Sequence, residues 1–403
     1  MNTRRAQIVV LGGGYAGTMA ANRLGALTTA GDDTADVVLV NPRPRFVHRI
    51  RLHQWVTGTG IAEHEYAEVL GAGVRLVVDT ATRIDPAAGH VELASGQTLP
   101  YDHLVYAVGS TSQPVEPIPG GAEYGFPIAE WEAAQRLREH LAEVAPAAPI
   151  TVVGGGLTGL EMATELAEAG RSVRLVCRGA VAPTFGERAR RATRRRLDKL
   201  GVEILEGHRV HVIGPDTVTV AGADGELTLD SAATIIAAGF SVPDLAAVSG
   251  LTTDPIGRLV TDETLTSVDD PRIVGAGDAV ALSGSAFRMS CQAANQLGPQ
   301  AADTVRAHLS GVEAAPVAVA FLGQCTSLGR HGSTVQPTHR DDSPLDWVIT
   351  GRAGATIKEV VCRSVIWGLR MEARRPGVTP TMGRPRQIAE AIGGAAVGGE
   401  RGR

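Results

Sequence analysis

Short apolar runs that end abruptly in glycines alternate along this chain with longer stretches of helical spacing. Ile8-Val9-Val10-Leu11 runs straight into Gly12, and Ile150-Thr151-Val152-Val153 straight into Gly154. Apolar runs of this length, rich in β-branched residues and without polar alternation, predict strands buried on both faces, as in a parallel sheet. The first run opens a unit of strand Ile8–Leu11, helix Ala16–Leu27 and strand Asp36–Val40 ending at Asn41. Arg75–Asp79, His90–Leu93 and Gln97–Pro100 predict a small antiparallel excursion, and Tyr101–Gly109 another buried strand closed by a glycine turn. Pro114, Pro117 and Pro119 with Gly120-Gly121 mark a linker. The rhythm then repeats as helix Trp131–Val144, the Ile150 strand, strand Val173–Cys177, helix Glu187–Leu200, strand Val202–Leu205 and the run Ala233–Gly239. Past Gly250, strand Arg272–Asp278 ends in a turn with one acid, and helix Ser290–His308 follows. Val317–Arg375 makes a smaller third region, and the Gly-, Pro- and Ala-rich end reads as a mobile tail.

With 403 residues, 44% of them hydrophobic, the chain can fill two or three domain cores. A net charge of −5 and 4% aromatics supply neither the basic patch nor the stacking rings of a nucleic-acid partner. No apolar stretch approaches the ~20 residues of a bilayer span. Arg4-Arg5 precedes a short apolar run ending at Gly12, so it opens a strand rather than an export signal. Cys177, Cys291, Cys325 and Cys362 form no C-x-x-C pair, which points to reduced thiols in a cytoplasmic chain without zinc or an adjacent redox disulfide. The dispersed histidines predict no metal site. The arginine run Arg188 to Arg196 lies in a predicted helix and reads as a solvated face.

Gly12-Gly13-Gly14-Tyr15-Ala16-Gly17 and Gly154-Gly155-Gly156-Leu157-Thr158-Gly159 each sit between a predicted strand and a predicted helix. There the glycines make the tight turn, admit a pyrophosphate to the backbone, and aim the free N–H groups of a helix start at it. One such unit means one dinucleotide. Two in one chain predict two dinucleotides held together, to pass electrons between them.

The order of motifs is the first glycine loop, Tyr101-Asp102-His103-Leu104-Val105-Tyr106-Ala107-Val108-Gly109, the second glycine loop, Ala237-Ala238-Gly239, and Gly275-Ala276-Gly277-Asp278-Ala279. Spanning nearly the whole chain, it resembles the two-dinucleotide-binding-domain flavoproteins. Among these it is most similar to the type II NADH dehydrogenases and their apoptosis-inducing-factor-like relatives. That narrower likeness rests on Gly155-Gly156-Leu157-Thr158-Gly159-Leu160-Glu161, on Cys291-Gln292-Ala293-Ala294-Asn295-Gln296, and on Gly351-Arg352 with Lys358-Glu359. Leu157 and Cys291 depart from the family pattern, which has proline and alanine there. The resemblance implies an α/β fold of two Rossmann-like dinucleotide-binding domains and a small C-terminal α+β domain. An FAD domain (1–118 and 252–312) would be interrupted by an NAD(P)H domain (119–251), with the C-terminal domain at 313–380 and a flexible tail at 381–403. It implies FAD as cofactor, NAD(P)H as co-substrate, and a quinone-like or other small-molecule acceptor. The missing cysteine pair sets aside the thiol-exchange branch, and the absence of F-x-G-x-x-x-H sets aside the monooxygenases.

Carried onto this chain, the likeness places Gly12, Gly14 and Gly17, with Tyr15 and Ala16, at the FAD pyrophosphate, and Arg49, Ala107, Gly109, Gly277 and Cys291 around the same cofactor. Asn41 stands where an acid usually holds the ribose, and is a weaker acceptor. Asp278 is expected at the ribityl chain or phosphate, a turn-capping acid being the plain alternative. Gly154, Gly156 and Gly159, with Leu157, Thr158 and Gly239, would hold the nicotinamide nucleotide. Cys177-Arg178 replaces the NADH-selecting acid and is compatible with a 2′-phosphate, unless Arg178 merely faces solvent. Glu161 either complements the helix dipole in the first turn or acts near the flavin–nicotinamide contact. Gln292 and Gln296 share a helical face, offered either to a quinone or to helix–loop hydrogen bonds. Cys291 is a reactive thiol at a helix start or an inert buried one. Lys358, one of two lysines with Lys199, reads as a surface residue or one approaching the flavin edge or acceptor channel. Ile357, Val361, Val365 and Leu369, flanked by Val360 and Trp367 and by Arg363, Arg370, Arg374 and Arg375, form a helix that covers a core or lies on a membrane surface.

The expected activity is hydride transfer from NAD(P)H to FAD and onward to a quinone-like acceptor. Two alternatives stand beside it: a soluble reductase serving an iron–sulfur protein or a biosynthetic small molecule, and a redox-inactive nucleotide-binding regulator. The expected location is the cytoplasm, with membrane contact at most peripheral on its cytoplasmic face, and a homodimer stays open.

Overall fold

A computed structural model of the chain describes residues 4–29, 34–283 and 287–380; the tail expected at 381–403 lies outside them. Ala6–Leu11 is the middle strand of a five-stranded parallel sheet ordered Ile273–Gly275, His103–Tyr106, Ala6–Leu11, Ala35–Asn41, Val74–Val78. Pro149–Val153 takes the same place in a second parallel sheet, ordered Gly125–Pro127, Ala233–Ile236, Pro149–Val153, Ser172–Cys177, Glu203–Glu206. In both, the chain adds two strands on one side of the middle strand and then returns to the other side. That reversal opens a crevice at the carboxyl end of the middle strand, where both glycine loops lie. Burial on both faces explains the unbroken apolar runs: Ile8 and Val10 pack into one core, Val9 and Leu11 into another.

Each sheet carries a three-stranded antiparallel meander just before the chain returns past the middle strand: Ala81–Asp85, His90–Leu93, Thr98–Pro100 in the first, and Arg209–Ile213, Thr217–Gly222, Gly225–Asp230 in the second. The run expected at Arg75–Asp79 is no part of a meander. Val74–Val78 pairs parallel with Ala35–Asn41 and completes the sheet.

The two crossings between the domains pair with each other, Thr111–Ser112 against Phe240–Ser241. Val115 beyond the first crossing packs in the second domain, whereas Val242, Leu245, Ala246 and Leu251 pack around Tyr106 of the first. The crossings therefore precede the expected boundaries at 118 and 251.

The C-terminal region is a three-stranded antiparallel sheet, Gly323–Ser327, Ser333–Pro337 and Ile349–Thr350, followed by the helix Gly351–Arg374. This helix docks on helix Tyr15–Leu24 through the buried Arg23 guanidinium, which pairs with Glu372 (2.8 Å) and, on helix Cys291–Ser310, with Asp303 (2.7 Å). Its buried face carries Lys358, Cys362, Val365, Ile366 and Leu369. The expected stripe is thus turned: Val365 and Leu369 face the core, Ile357 is half-buried, and Val360, Val361 and Trp367 are 60%, 37% and 63% exposed.

Candidate active site

The two glycine loops are built alike. Gly12 and Gly154 adopt φ of +97° and +126°, and a Cβ there would lie 2.4 and 2.5 Å from the carbonyl oxygens of Ala107 and Ala237. Gly17 and Gly159 bring each helix onto its own loop, where a Cβ would come within 1.8 and 1.9 Å of the Gly12 and Gly154 carbonyl oxygens. Gly14 and Gly156 differ, since a Cβ on either would meet no protein atom within 4 Å. These open positions are the N-caps of helices Tyr15–Leu24 and Leu157–Glu168, with no capping side chain and no acid in the first turn. Helix-start N–H groups without a capping side chain, beside open space, suit a pyrophosphate, so the residues present fit one dinucleotide at each loop.

Around the first loop, several expected cofactor contacts also act as braces. Asn41 accepts from Gly13 N at 3.0 Å and donates to Arg43 O at 2.8 Å. Arg49 donates to Ser110 O (2.7 Å) and Ala129 O (2.9 Å), fastening the loop after Gly109 to the second domain. Asp278 accepts from Ser110 Oγ (2.8 Å) and Ser290 N (3.0 Å), tying the start of helix Cys291–Ser310 to that same loop. Gly277, at φ +80°, lets the turn close on Ala16. Tyr15 is buried, its hydroxyl 3.1 Å from His48 Nδ1. Tyr66 escaped the sequence reading, yet its hydroxyl donates to Gly13 O at 2.7 Å and props the loop from behind.

At the second loop, a cleft is lined by Ser112, Gln113, Ile128, Thr158, Ala237 and Gly239. Cys177 is buried behind Gly155, and burial pushes its thiol up to about 11. Arg178 is exposed. Glu206, in register with Cys177 on the next strand, accepts from Val181 N at 2.7 Å and pairs with Arg194. The arginine run is only partly solvated: Arg196 pairs with Glu168 (2.8 Å) and donates to Leu328 O (3.0 Å), bracing the C-terminal region.

Glu161 lies in the second turn of its helix, not the first, and is 6% exposed. Its partner is Lys358, 2.9 Å away and 8% exposed, which corrects the surface reading of that lysine. Lys358 also donates to Cys325 O at 3.3 Å. Burial opposes both charges, yet each overcomes it: Lys358 and His53 hold the Glu161 carboxyl below its usual range, and Glu161 raises the Lys358 ammonium well above its own. His53 and Ser327 complete this group and were not anticipated, because nothing local marks a histidine in one domain as facing a glutamate in another.

The glutamines hold backbone. Gln296 donates to Ala320 O and accepts from Ala320 N, both at 3.0 Å. Gln300 does the same for Ala318 at 2.9 and 2.6 Å, and Gln292, with its amide turned over, donates to Gly323 O (3.2 Å) and accepts from Leu322 N (3.1 Å). Of the two expected roles, helix–loop bonding is the one these amides perform here. At the same helix start, burial pushes the Cys291 thiol up to about 12, which suits an inert thiol. All four cysteines are free.

Comparison with known proteins agrees with this geometry. The family profile described as pyridine nucleotide-disulphide oxidoreductase matches residues 6–311. A NADH dehydrogenase-like protein of Mycobacterium tuberculosis is 32% identical over 321 residues, 72% of this chain and 78% of its own. A demethylphylloquinone reductase of Synechocystis sp. is 28% identical over 358 residues, 83% of this chain and 87% of its own. Among solved structures, NDH2 from Plasmodium falciparum in complex with NADH shares the fold, with a TM-score of 0.76 at 16% identity, covering 92% of this chain and 97% of that one.

Proposed function

Since the chain belongs to the pyridine nucleotide-disulphide oxidoreductase family, we propose that its two crevices serve FAD and NAD(P)H and that the electrons pass on to a quinone. Bound FAD supplies the hydride-accepting chemistry and hands the electrons on. The protein's part is to hold the two nucleotides, one at each glycine loop, and to keep charge and water in order between them. Asp278, Ser110 and Arg49 lock the domains together at the loop between the crevices. Glu161 and Lys358 set a buried ion pair one turn along the helix that starts at the nicotinamide loop. The observation that carries the quinone reading is this pair, a proton-bearing ammonium held charged inside the protein, together with the likeness to a demethylphylloquinone reductase.

The exposed Arg178, with no carboxylate at Cys177 and with Glu206 already paired, favours NADPH as donor. No described helix is long and apolar enough to cross a membrane. Val360, Val361 and Trp367, beside the exposed Arg363, instead form an outward face suited to peripheral contact with a lipid surface, where an apolar acceptor would be met.

Anaerobic stopped-flow mixing tests the reading. NADH or NADPH bleaches the flavin band, and a soluble quinone restores it within turnover time. Restoration only by a small iron–sulfur protein would transfer the assignment to the electron-transfer reductases, and a flavin band that no nicotinamide bleaches would leave a regulator.

A further inference from the structure

Glu161, Lys358, His53 and Ser327 reach one buried knot from three parts of the fold. His53 belongs to the short helix Leu52–Val56 of the FAD domain and Glu161 to helix Leu157–Glu168 of the NAD(P)H domain. Ser327 and Lys358 come from the C-terminal region, and all four are buried. The Glu161 carboxylate stands between two basic groups. Its Oε1 pairs with Lys358 Nζ at 2.9 Å and accepts from Ser327 N at 3.1 Å, while its Oε2 faces His53 Nδ1 at 3.7 Å. His53 Nε2 lies 3.2 Å from Ser327 Oγ, which itself reaches Glu161 Oε1 at 3.4 Å.

A 3.7 Å gap is too long for a hydrogen bond. With Ser327 donating to Glu161, the imidazole carries its hydrogen on Nε2, and Nδ1 turns a lone pair toward the carboxylate. A proton arriving there would make a second ion pair. Burial holds it off, and so do three cations that face the ring: Lys358 from the C-terminal helix, Arg330 from the loop after Ser327, and Arg51 from its own segment. Glu161 alone among the facing groups favours it. Lys358 and His53 therefore compete for one carboxylate, and a positive charge on either works against the other.

We propose that His53 is the proton-holding partner of Lys358 across Glu161: when Lys358 gives a proton to the reduced acceptor, His53 takes one from solvent at Nδ1, so the charge of the knot stays constant. The inference rests on the reading of the acceptor as a quinone, which gains protons with its electrons. The hydride of NAD(P)H brings two electrons and one proton, and a quinol needs a second proton. That proton leaves Lys358, breaking one N–H bond and forming one O–H bond on the acceptor. It is replaced when the His53 proton crosses Glu161 to Nζ, so one proton enters from water per turnover. His53 touches neither nucleotide in this account and is a positioning residue.

Histidine side-chain NMR of the FAD-loaded enzyme, with the His53 resonance identified by its loss in His53→Gln, reads the coupling directly. Lys358→Met raises the His53 titration midpoint by at least one pH unit, and Glu161→Gln in that background lowers it again. A midpoint that Lys358→Met leaves in place overturns the proposal. Should that variant fail to fold, His53→Gln supplies a second reading by stopped flow: reoxidation by a quinone slows tenfold or more while flavin reduction changes less than twofold. Equal losses in both half-reactions mark a merely structural histidine and also overturn it. The NMR result does not depend on the acceptor, so failure of the quinone reading remains distinguishable from failure of the coupling.

Discussion

Removing the ammonium of Lys358 with Met leaves Glu161, 6% exposed, without its principal counter-charge. At 2.9 Å and an effective dielectric of ~20 the gross attraction is roughly 6 kcal/mol, and breaking a buried pair from one side costs about 3–5 kcal/mol once relaxation is allowed. Protonation limits that loss and fixes its pH dependence. In the native pair, burial raises the Glu161 pKa but Lys358 and His53 hold it below the ordinary 4.5. The pair therefore stabilises the fold above that pH, and its contribution is lost on acidification. In Lys358→Met the sign reverses. Burial then acts against a carboxylate with no ammonium, so the folded variant binds one proton more than the folded wild type. Stability relative to wild type therefore falls as pH rises from about 4.5, by up to ~1.4 kcal/mol per unit, whether the proton sits on Glu161 or on His53. Urea midpoints of wild type and variant, followed by far-UV circular dichroism at pH 5, 6 and 7, should diverge steadily toward pH 7. Adding Glu161→Gln to the variant removes the stranded charge and should recover most of the loss. A deficit equal at pH 5 and pH 7, or a double variant as unstable as the sum of the singles, would refute the buried-pair reasoning.

Three further outcomes follow from the crevices and the outer helix face. Gly14→Ala and Gly156→Ala each place a Cβ in open space, so the apo-protein should keep its melting temperature within about 2–4 °C while losing FAD or nicotinamide affinity respectively; an unaltered flavin content in Gly14→Ala would show that the open space is not the pyrophosphate site. Arg178→Ala should weaken NADPH by about tenfold to a hundredfold, the ~1.5–3 kcal/mol of a charge-assisted bond, and leave NADH nearly unchanged in fluorescence titrations. Equal effects on both would remove the case for the phosphorylated donor. Trp367→Ser with Val360→Ser should reduce sedimentation with anionic vesicles without changing flavin reduction by NAD(P)H in solution, and undiminished sedimentation would place the lipid contact elsewhere.

What the sequence made legible is whatever its local chemistry decides. A buried parallel strand must be apolar throughout and a glycine turn must be glycine, so Ile8–Leu11, Ile150–Val153 and both loops announced themselves and their helices. Thr217-Val218-Thr219-Val220 alternates with equal clarity, but its partner Gly225–Asp230 is mostly exposed and carries no apolar face that would announce a meander. Arg75–Asp79 was misplaced for a different reason. Val74–Val78 is an edge strand with Arg75 and Val78 exposed, so it lacks the unbroken burial that marks the middle strands of a parallel sheet. The site was legible only where one segment makes it. Lys358 looked like a surface residue because its counter-charge lies 197 positions away, and a buried lysine is recognisable only with its partner in view.

The glutamines show how a single spacing can encode two things. Gln292, Gln296 and Gln300 recur every fourth residue, which on a helix advances them by ~6 Å. Alternate residues of an extended chain advance by ~6.6 Å. The two repeats nearly coincide, so three amides on one helix face can hold Ala318, Ala320 and the Leu322–Gly323 link in turn, supplying the donor and acceptor that a neighbouring strand would have supplied. The segment 317–322 is thereby fixed without joining a sheet, and it leads directly into Gly323–Ser327, the strand that delivers Cys325 O to Lys358 and Ser327 to Glu161. An i, i+4 pair of glutamines beside a flavin domain reads equally well as a ring-carbonyl clamp or as a surrogate strand edge. The choice rests with the segment that follows, whose backbone groups would otherwise be buried without partners. Glutamine suits this place because its amide offers one donor and one acceptor side by side, as a peptide group does, and a glutamate would offer acceptors only.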